Sequence, residues 1–217
     1  KANGVKPIIG LETYVVEDRF RKDAGNEERW HLTLLAKDEA GYKNLLKLGS
    51  LAFLEGYYYK PRVDKELLKQ YHEGLIALSA CLGGEVPHLF IQGRITEAKA
   101  AARWYKETFG DYYLEIMRHP VPELDTLNRF LVSLGKELDI PLVATNDVHY
   151  INREDAEAQD VHPFVAPGAG EQESRRHAET NLYSESRYRD PHFRCIDLNH
   201  FRFSLIDSKN AEINAAH

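Results

Sequence analysis

Five short runs rich in β-branched, aromatic and leucine residues alternate along this chain with segments of helical spacing. They are Lys6–Val16, Trp30–Ala36, Leu75–Ser79, Tyr112–Met117 and the run opened by Pro141, and several carry or deliver a side chain able to bind a cation. The last is the most informative. Pro141-Leu142-Val143-Ala144 has the pattern of a buried parallel strand, and it leads into Thr145-Asn146-Asp147-Val148-His149-Tyr150. If extended geometry continues, Asp147 and His149 share a face, so an oxygen and a nitrogen ligand point the same way at a strand end.

Between the runs the apolar spacing turns helical. Asp38 can cap a helix carrying Leu45, Leu48, Leu51 and Ala52, and Asp64 can begin a short one closed by Gly74. Further helices are expected over 83–92, over 96–109 with Gly110 as the stop, after Pro122, and from Asn152 to about Asp160. Tyr57-Tyr58-Tyr59-Lys60-Pro61-Arg62 reads as an aromatic and basic loop that either packs onto the sheet or stacks on a ligand. This order predicts an α/β fold with a mostly parallel sheet wrapped by helices, and polar residues at strand ends favour a barrel-like arrangement.

Composition narrows the function classes. No run of apolar residues is long enough to cross a membrane, and no charged-then-apolar leader opens the 217 residues, so neither a span nor a signal peptide is expected. The only methionine is Met117, which leads us to expect a piece of something longer. Cys81 and Cys195 make no CxxC pair, which fits a reducing, cytoplasmic setting better than a disulfide scaffold. A net charge of −6 argues against a broad nucleic-acid-binding face. Such a domain can still act on phosphate esters if metal ions supply the positive charge.

Singly, Glu12, His31, Cys81, His119, Asp147 and His149 each have an ordinary structural explanation. Glu12 can be salt-bridged at a sheet edge, His31 can be a satisfied core histidine, and Cys81 can be a small buried hydrophobe. Together they are carboxylate, imidazole and thiol groups from five strands or strand ends, which a barrel brings into one mouth. Such a cluster suits a multinuclear site that polarises a phosphoryl group.

Several long segments carry a resemblance: K-P-I-I-G-L-E-T-Y, H-L-T-L-L-A-K-D, L-E-G-Y-Y-Y-K-P-R, G-L-I-A-L-S-A-C-L-G-G-E and L-V-A-T-N-D-V-H-Y. In this order they resemble the polymerase and histidinol phosphatase (PHP) domain found at the N-terminus of bacterial replicative DNA polymerase III α subunits. The resemblance implies a distorted (β/α)7 barrel with divalent metal ions (zinc, manganese or magnesium) at the strand C-terminal ends. It also implies phosphoester hydrolysis, 3′-5′ exonuclease activity in some members, and in others a scaffold that docks the proofreading subunit. Carried over by position, Glu12 resembles the bridging carboxylate, His31 and Cys81 complete one site with it, and Asp147 and His149 match the final D-x-H motif. His119 is a lower-grade candidate. DNA, the proofreading exonuclease and other replisome subunits are the implied partners, and a free-standing phosphoesterase is the alternative.

Two departures shape the expectation. The H-x-H strand and the T-D-H-G-type strand with which the family begins do not occur in these residues, so the first two strands are expected to be missing and the metal site incomplete, with weak metal binding and little turnover. The match also stops near Asp160. A partial PHP domain over 1–160 is therefore expected, followed by an irregular tail over 161–217, derived from a shifted reading frame or an unrelated junction. Its His162, His177, His192, His200 and His217 lack metal-ligand spacing.

Overall fold

The computed structural model describes residues 7–22, 28–118, 121–149 and Asp155. The expected helix over 152–160, the tail over 161–217 and His119 lie outside the described residues, Asp155 apart. Strand β1 (Gly10–Val16) is followed by β2 (Trp30–Ala36), helix α1 (Glu39–Leu54), β3 (Arg62–Asp64) and α2 (Lys65–Gln70). Then come β4 (Leu75–Leu78), α3 (Glu85–Ile91), α4 (Ile95–Phe109), β5 (Tyr112–Ile116), α5 (Pro122–Leu138) and β6 (Leu142–Ala144). The fold is mixed α/β, with one six-stranded sheet in the order β3-β1-β2-β4-β5-β6.

Two details differ from the sequence expectation. β3 is a short strand within what reads as a helix-to-helix loop, and it pairs parallel with β1 from Tyr14↔Arg62 to Val16↔Asp64. At three residues it is too short to show an alternation. The sheet is also less parallel than expected, because β2 runs antiparallel to both β1 and β4. Among the described residues no helix intervenes between β1 and β2, whereas a parallel return needs a crossover that is usually helical. The remaining pairings, β4 with β5 and β5 with β6, are parallel and each spans a helical crossover.

The reversal of β2 decides where its imidazole lies. His31 stands at the start of its strand, yet opposite Tyr14 near the C-terminal end of β1 and beside the turn that leaves β4. A residue that looks misplaced in sequence thus reaches the sheet edge where the other candidates lie.

Helices α1 and α2 open on the caps expected of them. Asp38 accepts a hydrogen bond from the Gly41 N–H at 2.9 Å, and Asp64 accepts one from the Leu67 N–H at 2.9 Å. The core runs continuously from Val15, Leu32 and Leu34 through Leu48, Ala77 and Leu114 to Leu131 and Leu134. Within it Tyr105 of α4 stacks on Tyr112 of β5, and Phe90 stacks on Phe130 between α3 and α5.

The aromatic and basic loop resolves toward packing. Arg62 is completely buried. Its Nε donates to the Gly56 carbonyl at 2.7 Å, and Nη2 donates to the carbonyls of Arg19 at 3.0 Å and Arg21 at 2.9 Å. Its guanidinium lies over the Tyr58 ring, while Tyr57 and Tyr59 are exposed.

Candidate metal centre

β1 carries Glu12 and Tyr14 on one face, two residues apart, and β2 brings His31 against both. His31 Nδ1 lies 2.8 Å from Glu12 Oε1, and the Tyr14 ring meets the imidazole edge-on at 5.0 Å. On the other side Cys81 Sγ is 3.8 Å from the same Nδ1. Carboxylate, imidazole and thiol, drawn from three chain segments, therefore meet at one ring nitrogen.

Local backbone explains the placement of Cys81. Ala80 has φ +62°, a left-handed conformation that costs an L-residue with a Cβ about 1–2 kcal/mol, and it turns the chain sharply at the end of β4. Gly84 then approaches the sheet more closely than any side chain would permit, and Gly83 packs tightly beside His31. A Cβ on Gly84 would stand 2.0 Å from the Ser79 carbonyl, and one on Gly83 would press the His31 ring at 3.3 Å. The Gly83 carbonyl accepts the His31 backbone N–H at 2.8 Å, which fixes the imidazole-bearing strand to the thiol-bearing turn.

Asp147 and His149 follow the end of β6, paired with each other at 3.6 Å between His149 Nε2 and Asp147 Oδ1. Asp147 itself has φ +48°, a conformation aspartate tolerates better than most residues, so the stretch does not continue as a strand and the pair meets across a left-handed kink. The two halves of the cluster feel one another. Burial raises the Cys81 thiol well above its ordinary range, and the negative charges of Asp147, Glu12 and Glu115 add to the effect. The Asp147 carboxylate holds the His149 imidazolium above its usual range, with Glu12 contributing. Asp147 thus lies within electrostatic reach of Cys81, and Glu12 within reach of His149.

Glu115, which the sequence reading does not single out, belongs to this group. It is the one charge inside the apolar run Tyr-Tyr-Leu-Glu-Ile, the same signal that marks Glu12. Its residue is 6% exposed, its Oε1 accepts the Thr145 hydroxyl at 3.0 Å, and its backbone N–H donates to Ser79 Oγ at 2.8 Å. Burial pushes its carboxyl from an ordinary 4.5 up to about 7, opposed by Thr145 and the Ala80 N–H and reinforced by Asp147 and Glu12.

That displacement has a measurable consequence. Between about pH 4.5 and 7 the folded chain keeps a proton that the unfolded chain has released, so stability falls as pH rises through this window. The loss is about 3 kcal/mol in the metal-free protein, at roughly 1.4 kcal/mol per pH unit. Denaturant midpoints measured with chelator across this range should show the decline, and Glu115→Gln should flatten it.

Among the described residues no three ligating groups already stand at the spacing that grips an ion. The donor chemistry nonetheless fits a divalent cation. A thiol, an imidazole and a carboxylate meet at His31, an imidazole and a carboxylate pair at Asp147 and His149, and burial keeps the thiol protonated until a cation displaces the proton. A fully buried carboxylate oxygen of Glu115 adds a donor with no partner.

Residues 1–119 match the PHP domain family, and the chain belongs to that family. The chain is also 49% identical over 188 residues to the DNA polymerase III subunit alpha of Borreliella burgdorferi, a match covering 84% of this chain and 16% of that protein. It is 50% identical over 163 residues to the DNA polymerase III subunit alpha of Deinococcus radiodurans, covering 72% of this chain and 12% of that protein. To the Thermus aquaticus subunit it is 47% identical over 165 residues, covering 74% and 14% respectively. The chain thus spans about one-eighth to one-sixth of the length of these relatives. No helix among the described residues is long and apolar enough to cross a membrane.

Proposed function

We propose that this chain is the PHP portion of a bacterial replicative DNA polymerase III α subunit. In this reading its sheet is part of a (β/α)7 barrel, and its rim binds divalent cations that act on phosphoesters at a DNA 3′ end. The observation that supports this best is the meeting of Glu12, His31 and Cys81 at one imidazole nitrogen, from three segments whose sequences each resemble the family. Glu12, His31, Cys81, Asp147 and His149 would hold the cations, with zinc, manganese and magnesium as the candidates. When bound, such a cation polarises a phosphoryl oxygen and lowers the pKa of water. Asp147 raises the proton affinity of the His149 imidazole, so a cation bound there would displace that proton and its binding would weaken as pH falls. Polymerisation would reside in other parts of the protein. DNA, the proofreading exonuclease and other replisome subunits would be its partners, in the cytoplasm.

A second reading, a scaffold for the proofreading subunit, is favoured by the exposed apolar side chains of α1 and the following loop. Phe53 stacks on Tyr57, and Leu54 and Tyr59 are largely exposed beside them.

The test uses the full-length protein, stripped with chelator and reloaded with zinc or manganese, on a primer labelled at its 3′ end. Cation-dependent release of the terminal nucleotide, reduced at least tenfold by Asp147→Ala, is the expected result. Cation binding without release, together with capture of the proofreading subunit, would establish the scaffold instead. Failure to extend a primed template with deoxynucleotides would remove the polymerase assignment.

A further inference from the structure

β5 lies between β4 and β6 in the sheet, so Glu115 stands between the two strands that deliver Cys81 and Asp147. Its ties run both ways. The Glu115 N–H donates to Ser79 Oγ, two residues before Cys81, and its Oε1 takes the Thr145 hydroxyl, two residues before Asp147. Both departures from those strands are sharp, with left-handed backbone at Ala80 and Asp147. One carboxylate oxygen is thereby fixed. The other, Oε2, is buried and makes no hydrogen bond of normal geometry with any described residue, the Ala80 N–H near the carboxylate acting on it only as a favourable dipole.

A buried carboxylate oxygen left without a partner costs about 1–3 kcal/mol or more, so one retained in this position calls for an occupant. The occupant's charge follows from the surroundings. Asp147 and Glu12 act on Glu115, and Glu115 on Cys81, so apart from the His149 imidazole the named neighbours are acidic groups that repel one another and favour a cation among them. The orphan oxygen and the converging acidic groups are separate observations, one of hydrogen bonding and one of charge.

We propose that Glu115 is a further cation-binding carboxylate of the centre, its Oε2 supplying an oxygen donor from the floor while Oε1 stays latched to Thr145. This rests on the metal-binding reading of the rim. In it, Thr145 is a positioning residue: its hydroxyl holds the carboxylate plane so that one oxygen is left for the ion. Ser79 does the same through the Glu115 backbone. The carboxylate is buried, 6% exposed, so it would raise affinity from within the protein rather than from the solvent side that a phosphoester would approach.

The experiment is zinc and manganese affinity, measured by competition with a chromophoric chelator, for the full-length protein and its Glu115→Gln variant. Glutamine preserves shape and the Thr145 contact while removing the charge. At least about a tenfold loss of affinity, with an unchanged or raised melting temperature of the metal-free protein, is expected. Equal affinities for the two proteins would overturn the proposal and leave the rim reading intact. If the unaltered protein binds neither cation, both fall. Should Glu115→Gln not fold, Thr145→Val carries the test, since it unlatches the carboxylate without removing it. A several-fold loss of affinity then supports the donor role, and an unchanged affinity overturns it.

Discussion

Arg62→Ala is expected to cost about 3–5 kcal/mol of folding stability, although Arg62 touches none of the candidate ligands. The guanidinium is completely buried and satisfies three backbone carbonyls at 2.7 to 3.0 Å, two from the loop after β1 and one from the loop before β3. Truncation would leave those carbonyls facing a void with no donor. It would also release Tyr58, which the guanidinium covers, and loosen the strand that carries Asp64. Asp64 caps α2 and binds the Arg19 guanidinium through both oxygens, at 2.8 and 2.9 Å. Arg62→Lys should recover little, since a single ammonium on a narrow stem cannot reproduce the planar fork. Denaturant unfolding monitored by circular dichroism would read the loss, and the melting temperature should fall by roughly 10 °C. A change below about 1 kcal/mol would mean that water replaces the guanidinium and that the loop junction is not held as described.

The second large effect concerns binding rather than folding. Glu12→Ala should lower divalent-cation affinity at least about a hundredfold while barely moving the metal-free melting temperature. The separation follows from placement. The Glu12 side chain is 54% exposed, so its removal leaves no cavity and strands no buried charge. Yet it touches His31 and contributes to the electrostatics of Cys81, Glu115 and His149 alike. An equal loss of stability and affinity would indicate that the carboxylate serves as a structural ion pair. Calorimetric titration with zinc, beside thermal melts in chelator, distinguishes the two.

Much of the fold is legible in the sequence because helix caps and apolar stripes act locally. Asp38 and Asp64 read as caps from their positions alone, and both accept the bonds expected of them. Five strands are legible from their β-branched runs. β3 is not, because three residues between a proline and a helix cap carry no period, and only pairing with β1 makes them a strand. The direction of β2 is equally hidden, since a strand's polarity is set by how the loop before it returns.

At the centre, residue type makes Glu12, His31 and Cys81 candidates, but the contact between them depends on the reversed β2 and on the close backbone approach at Gly84. In sequence the Gly83-Gly84 pair reads as the opening of a helix; its closeness to His31 and to the Ser79 carbonyl exists only in three dimensions. Glu115 escapes a linear reading although it breaks an apolar strand as Glu12 does. Its significance lies in what surrounds it, a hydroxyl on one oxygen and no partner on the other, and a linear sequence carries no trace of that. His119 lies outside the described residues, so its assignment rests on its position just past β5.

The most direct measurement is anomalous diffraction at the zinc edge from crystals of the full-length protein grown with zinc. A peak about 2.0–2.3 Å from the Glu12 carboxylate, the His31 imidazole and the Cys81 sulfur, with Asp147 and His149 turned toward the same rim, is the expected result. Well-ordered side chains at that rim with no peak among them, or peaks confined to the outer surface, would contradict it.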